Sequence, residues 1–261
     1  GSSAGAATLT VANGFANNGT IELTNSFANQ SATLTVTSGT LVNNAPGDSI
    51  NSLAGAGAGA RALNAALDNH GTLSVGFALS LNRGSAAHFN ESDGTIDVSG
   101  GDLTISQSGI TPSFTNSGAL TLGASRTMTI TGGLYNHNAA LSGTGTLALS
   151  GLTAALGVDL TNAGGALTIG SCTVNGPGQL VCATSKTLLL TATTVNAPTT
   201  NQGTLIAHGA CPLNGALTTV TGSKLRVDGS SAGAATLTVA SGFTNNGTIE
   251  LTNSFANQSA T

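Results

Sequence analysis

The chain has 261 residues, of which 39% are hydrophobic, 6% charged and 3% aromatic, with a net charge of −4. The hydrophobic share excludes a disordered polar chain, and six Lys and Arg scattered from Arg61 to Arg226 exclude a basic nucleic-acid surface. No run approaches the length of a transmembrane segment, the first residues lack the basic and apolar regions of a signal peptide, and nothing calls for a cofactor.

The first element is the strand "GTIELT" from Gly19, in which apolar and polar residues alternate, and "ATLTV" at 32–36 follows it. Period two sends Leu34 and Val36 to one face and the threonines to the other. The segment from Leu53 to Asn69 breaks this alternation. Its second half, Ala60 to Leu67, has good helix formers at helical spacing, so an irregular coil or small protrusion is expected there.

Alternation then resumes in "GTLSV" from Gly71, "ALSL" at 78–81, "GTIDV" from Gly94, "DLTI" at 102–105, "GALTL" from Gly118 and "TMTI" at 127–130. "GTLAL" from Gly145 and "GALTI" from Gly165 continue the series, and several successive gaps fall between 20 and 27 residues. "GSCTVNGPG" reads as an extra half-unit with an outward loop bearing Cys172, before "GQLVC" from Gly178, "TLLL" at 187–190, "GTLIA" from Gly203 and "KLRV" at 224–227. Phe15, Phe89, Phe114 and Val195 mark a short third strand before the next glycine. Two or three short strands in units of about 24 residues predict an all-β parallel β-helix, a β-solenoid, right-handed as large solenoids commonly are.

The corners carry Asn two residues before Gly: Asn17 and Gly19, Asn69 and Gly71, Asn116 and Gly118, Asn201 and Gly203, Asn245 and Gly247. The amide is expected to bond turn backbone and stack on its equivalents, while Gly supplies a positive φ.

A longer period overlies the coils. The stretch "NNGTIELTNSFANQSAT" at 17–33 returns unchanged at 245–261, an offset of 228 residues, and residues 1–16 return at 229–244 with only Asn13/Ser241 and Ala16/Thr244 differing. Identity at exposed polar positions marks a copied unit, so residues 1–228 read as one repeat of about ten coils and 229–261 as the start of the next. At about 4.8 Å per coil, one repeat would advance a fibre by roughly 45–50 Å.

Candidate chemistry is sparse. Glu91, Asp93, Asp97 and Asp102 form the densest acidic patch, the one centre for a polysaccharide-binding or polysaccharide-degrading β-helix, although no basic partner or sugar platform accompanies it. Alternation points Asp97 to solvent between Ile96 and Val98. His70, His88, His137 and His208 occupy unrelated positions and lack metal-site spacing. Cys172, Cys182 and Cys211 admit either three buried thiols or one bridge, Cys172 to Cys182 being the first choice. Thr8/Thr10, Thr33/Thr35, Thr127/Thr129 and Thr236/Thr238 would make an ice-binding face only if their rows were continuous. Glycosylation acceptors occur at Asn18, Asn29, Asn90, Asn246 and Asn257.

The NxGTL turns followed by TLTV-like strands resemble the repeat regions of large bacterial surface proteins, namely autotransporter passengers and filamentous-haemagglutinin-like adhesins. The resemblance implies a secreted or cell-surface location and a non-catalytic role as stalk, fibre or adhesin. Its implied partners are further copies of the repeat, in the same chain or head to tail, and surface glycans.

Overall fold

The computed structural model describes residues 5–231, 233–255 and 259–261. All the elements among them are strands, paired in parallel from coil to coil, giving a β-solenoid of about 11 turns and roughly 22 residues per turn. With no helix among the described residues, none is long and apolar enough to cross a membrane. The chain forms two compact units, residues 1–146 and 147–261.

In the first unit each coil contributes to three ladders. An exit ladder leaves the asparagine corner and stacks Thr20–Leu23, Ser49–Ser52, Thr72–Val75, Thr95–Val98, Ala119–Leu122 and Leu141–Gly143. A middle ladder stacks Ala7–Val11, the first half of Ala32–Asn43, the first half of Arg61–Asn69, then Leu79–Leu81, Leu103–Ser106 and Thr127–Thr131. An approach ladder ends on the corner residue and stacks Phe15–Asn17, the second halves of the two long strands, Ala87–Asn90, Ser113–Asn116 and Leu134–His137. Alternation holds throughout: Ile50, Leu73, Ile96 and Leu120 form one inward row and are at most 1% exposed. Each such side chain contributes about 1.5–3 kcal/mol by burial.

The second unit also stacks three ladders, named by their order around its own corner row. Its exit ladder stacks Ala166–Gly170, Thr187–Thr191, Thr204–His208, Lys224–Gly229 and Thr248–Asn253. The middle ladder stacks Thr153–Leu156, Thr173–Asn175, Thr194–Val195, Ala210–Leu213 and Thr236–Val239. Its approach ladder stacks Leu160–Thr161, Leu180–Cys182, Thr199–Asn201 and Leu217–Thr219. Coils here are short, with Leu188 opposite Leu205 and Leu205 opposite Leu225, which brings the mean below the expected 24.

Two expectations fail. Residues 60–67 form no protrusion, because Arg61–Asn69 is a strand paired on both edges. Inward Leu63, Ala65 and Leu67 satisfy period two as well as helical spacing, and the two neighbouring ladders decide the outcome. The irregular part is the loop 53–60. It folds over the buried guanidinium of Arg61, which donates to the carbonyls of Leu53 (2.9 Å), Ala54 (2.8 Å) and Gly59 (2.9 Å) and lies 4.8 Å from the Phe77 ring centre. Nor is "GSCTVNGPG" an extra half-unit. Thr173–Asn175 is an ordinary middle strand and Leu180–Cys182 an approach strand, so the glycines at 165 and 178 belong to different ladders of one coil.

Candidate functional site

The most built feature is the corner row of the first unit. In each approach strand the residue two beyond an inward side chain also points inward, and in five coils it is Asn17, Asn43, Asn69, Asn90 or Asn116, each at most 7% exposed. Each Nδ2 donates to the Oδ1 of the next, four bonds of 2.8 Å each. The second amide hydrogen goes to the carbonyl that opens the next exit strand: Ser49, Thr72, Thr95 and Ala119, at 3.1–3.3 Å. Thus the row pins each corner to the following coil. His137 is in register with Asn116 and ends the row, leaving Asn116 Nδ2 buried without a bond.

Spacing had identified Asn17, Asn69 and Asn116 but missed Asn43 and Asn90, which lack a glycine two residues on. The role assigned to glycine also changes. Gly71, Gly118 and Gly203 do not have positive φ. A Cβ on Gly118 would instead strike the carbonyl oxygens of Glu91 and Gly94, and one on Gly203 those of Ala183 and Lys186, so close stacking is what demands glycine.

In the second unit the corner positions are Asn162, Cys182, Asn201 and Thr219, all buried. They donate to carbonyl oxygens of the next coil: Asn162 to Thr187 (3.0 Å), Cys182 Sγ to Thr204 (3.4 Å), Asn201 to Lys224 (2.8 Å) and Thr219 to Thr244 (3.2 Å). Asn245, predicted for the same corner, is exposed, and its amide turns back to Gly247 O at 3.0 Å.

The three cysteines are free and buried. No Cys172–Cys182 bridge forms because the two residues occupy different corners of one coil: Cys172 precedes the middle strand and Cys182 ends the approach strand. Cys172 Sγ donates to Gly170 O and Cys211 Sγ to His208 O. Burial pushes all three thiols above their usual pKa, which keeps them protonated as donors.

The acidic patch does not converge. Asp97 lies outward between buried Ile96 and Val98 and accepts the Ser99 hydroxyl, while Asp102 Oδ1 accepts the Thr127 N–H at 2.9 Å. Contrary to expectation, Asp93 has a basic partner. His70 Nδ1 is 2.9 Å from Asp93 and its Nε2 3.6 Å from Asp68, so the ring stands between two carboxylates. No group of three or more His, Cys, Asp or Glu is arranged for a metal among the described residues.

His88, not Phe89, is the inward residue of its strand. It is 1% exposed and in line with Leu67 and Phe114, and Leu67 N–H donates to its Nδ1. Burial, with a smaller contribution from Arg83, lowers its pKa from 6.5 to about 4. Phe114 stacks on Tyr135 at 5.7 Å, and the Tyr135 hydroxyl bonds His137 Nδ1 at 2.9 Å. The threonine rows are interrupted, since Thr33 and Thr35 face Ala62 and Asn64. Asn90 is fully buried, out of reach of a glycan, and Asn257 lies outside the described residues.

The remaining feature is the open edge of the first coil, whose strands pair only with the second coil among the described residues. Leu9 is 60% exposed, and with Ile21, Leu23 and Leu34 it lines an open apolar cavity of about 250 Å³. No family model, no curated protein and no solved structure matches the chain.

Proposed function

We propose that this chain is a structural part of an extracellular fibre or adhesin stalk, built from tandem 228-residue β-solenoid repeats and carrying no catalysis. The observation that carries the reading is the fold of the copied segment. Thr236–Val239 and Thr248–Asn253 form strands again where the copied sequence forms Ala7–Val11 and Thr20–Leu23 in the first copy. The register is also kept, with Ala235 beside Ala260 as Ala7 is beside Ala32. A segment that forms two of the same strands again 228 residues on suits a unit that stacks. Uncharged inward corners support the same reading, because like charges in register would repel along the stack.

Electron micrographs and fibre diffraction of the natural protein test it. Continuous fibres with a strand spacing near 4.8 Å along the axis are expected. Dispersed single molecules that cleave a glycan would defeat it.

The second reading, a polysaccharide-binding or polysaccharide-degrading β-helix, is favoured by the part-exposed Asp68–His70–Asp93 cluster. Under it, His70→Ala abolishes retention on a glycan array. Under the fibre reading, that change leaves assembly intact.

A further inference from the structure

Charge is spread unevenly over this chain. Among the described residues, Lys and Arg pair with carboxylates at two places, and both cations stand on Lys224–Gly229, the strand that ends at the first residue of the second copy. Lys224 Nζ is 2.8 Å from Glu250 Oε2, and Arg226 Nη2 is 3.1 Å from Asp228 Oδ2. His208, on the preceding strand, brings its Nε2 to 3.5 Å from the same Asp228 oxygen. Asp228 is 4% exposed, so a nearly buried carboxylate holds the Arg226 guanidinium and ties it to the coil before. Arg61 and Arg83, by contrast, donate to main-chain carbonyls. Hydrogen bonding from Lys224 draws the Glu250 carboxyl below its usual pKa, which favours the charged form.

Apolar stacking does not distinguish one coil from another here. Leu188 and Leu190, Leu205 and Ala207, and Leu225 and Val227 are all buried and present the same inward pattern. The outward row does differ. Leu189, Ile206, Arg226 and Glu250 stand in register on four successive strands, and of the three that precede Glu250 only Lys224–Gly229 presents cations. We infer that Lys224 and Arg226, held by Asp228 and His208, form a charged key that recognises the glutamate of the copied segment and fixes the register in which one repeat follows another. That role between repeats rests on the repeat reading. The glutamate travels with the copy, as Glu22 in the first and Glu250 in the second. A two-residue slip is the smallest that keeps Ile249 and Leu251 inward. In one direction it sets Glu250 against Asp228, like charge on like charge, and in the other it sets Ile249 against Ser223 in place of Leu225.

Hydrogen exchange on the full chain tests the key, because both sides of the contact lie within it. With Lys224→Glu, the amides of Thr248–Asn253 should exchange about fivefold faster at low salt, while those of Thr187–Thr191 keep their rate. Lys224→Glu combined with Glu250→Lys re-forms the pair with its charges swapped and should restore the original rates. An unchanged Lys224→Glu chain overturns the inference. So does a swap that restores nothing, because packing of the lysine stem would then be the cause. The unaltered chain supplies a measurement that no folding defect obscures. Raising NaCl from about 10 mM to about 1 M should speed exchange in Thr248–Asn253 about threefold relative to Thr187–Thr191, and a salt-independent ratio overturns the key. These outcomes are distinct from those of the fibre reading. A salt-independent ratio leaves that reading standing, whereas dispersed single molecules with a salt-dependent ratio defeat the fibre and keep the key.

Discussion

In the first unit five corner asparagines pass an amide hydrogen from coil to coil, each 2.8 Å from the next, whereas in the second unit Asn162, Cys182, Asn201 and Thr219 donate only to main-chain carbonyls. What both rows share is the bond to the next coil, so that bond is the requirement of the corner. The relay is additional. It needs a side chain that both donates twice and accepts at one coil spacing, which Asn has and Cys or Thr lacks. An unbroken relay leaves one unpaired group at its end, Asn116 Nδ2. A broken row leaves one inside, Asn201 Oδ1. The second unit does carry an asparagine relay, Asn175–Asn196–Asn214, but on its exposed surface.

The hardest way to break the first row is steric. Gly118→Val places a side chain against two backbone oxygens that no rotamer avoids, and should cost at least about 3 kcal/mol. Hydrogen exchange should show lost protection around Asn116–Leu122, while Leu34–Val36, several coils away, stay protected, because a solenoid coil contacts only its neighbours.

Acid should separate the two units next. His88 titrates at about 4 when folded and near 6.5 when exposed, so the unfolded chain binds the proton first. Stability from His88 is complete above about pH 6.5 and falls as the pH drops toward 4, by about 3 kcal/mol in all. The first unit should lose exchange protection over that window, and His88→Phe should flatten the dependence.

How far all this could be read from the letters depends on what each residue must satisfy. Met128 and Ile130 announce their inward face because alternation is local, and Asn116 with Gly118 announces a corner because both requirements fall within three residues. Asn43 and Asn90 escape because their turns run longer before the chain closes on the next coil. Cys182 escapes because a thiol occupies an amide's place. His88 and Phe89 are adjacent, and only the ladder register decides which points inward. The His70–Asp93 pair, 23 residues apart, depends on coil length, which varies along the chain.

Within the rows, truncation should grade by the bonds lost. Asn69→Ala removes a donor to Asn90 and Thr95 and the acceptor used by Asn43, a loss of about 2 kcal/mol in chemical denaturation. Asn201→Ala removes one bond, to Lys224, and with it an oxygen that was already unpaired, so about 1 kcal/mol or less is expected. Equal losses would mean that the relay contributes nothing beyond the bond to the next coil.

The smallest effect tests the comparison most directly, because it should be a gain. Cys182 lies between Asn162 and Asn201 in the second row, its thiol bonded weakly to Thr204 O at 3.4 Å. Cys182→Asn supplies two hydrogens where the thiol has one. The first can keep the Thr204 carbonyl, and the second can reach Asn201 Oδ1, the buried acceptor that lacks a partner, in the direction that Asn17 uses toward Asn43. Satisfying that oxygen should raise stability by about 1 kcal/mol, read as a higher denaturation midpoint at unchanged slope. In the Asn201→Ala background the acceptor is gone, and the same substitution should gain nothing. A gain that persists there would arise from packing, and the relay would not be what separates the two rows.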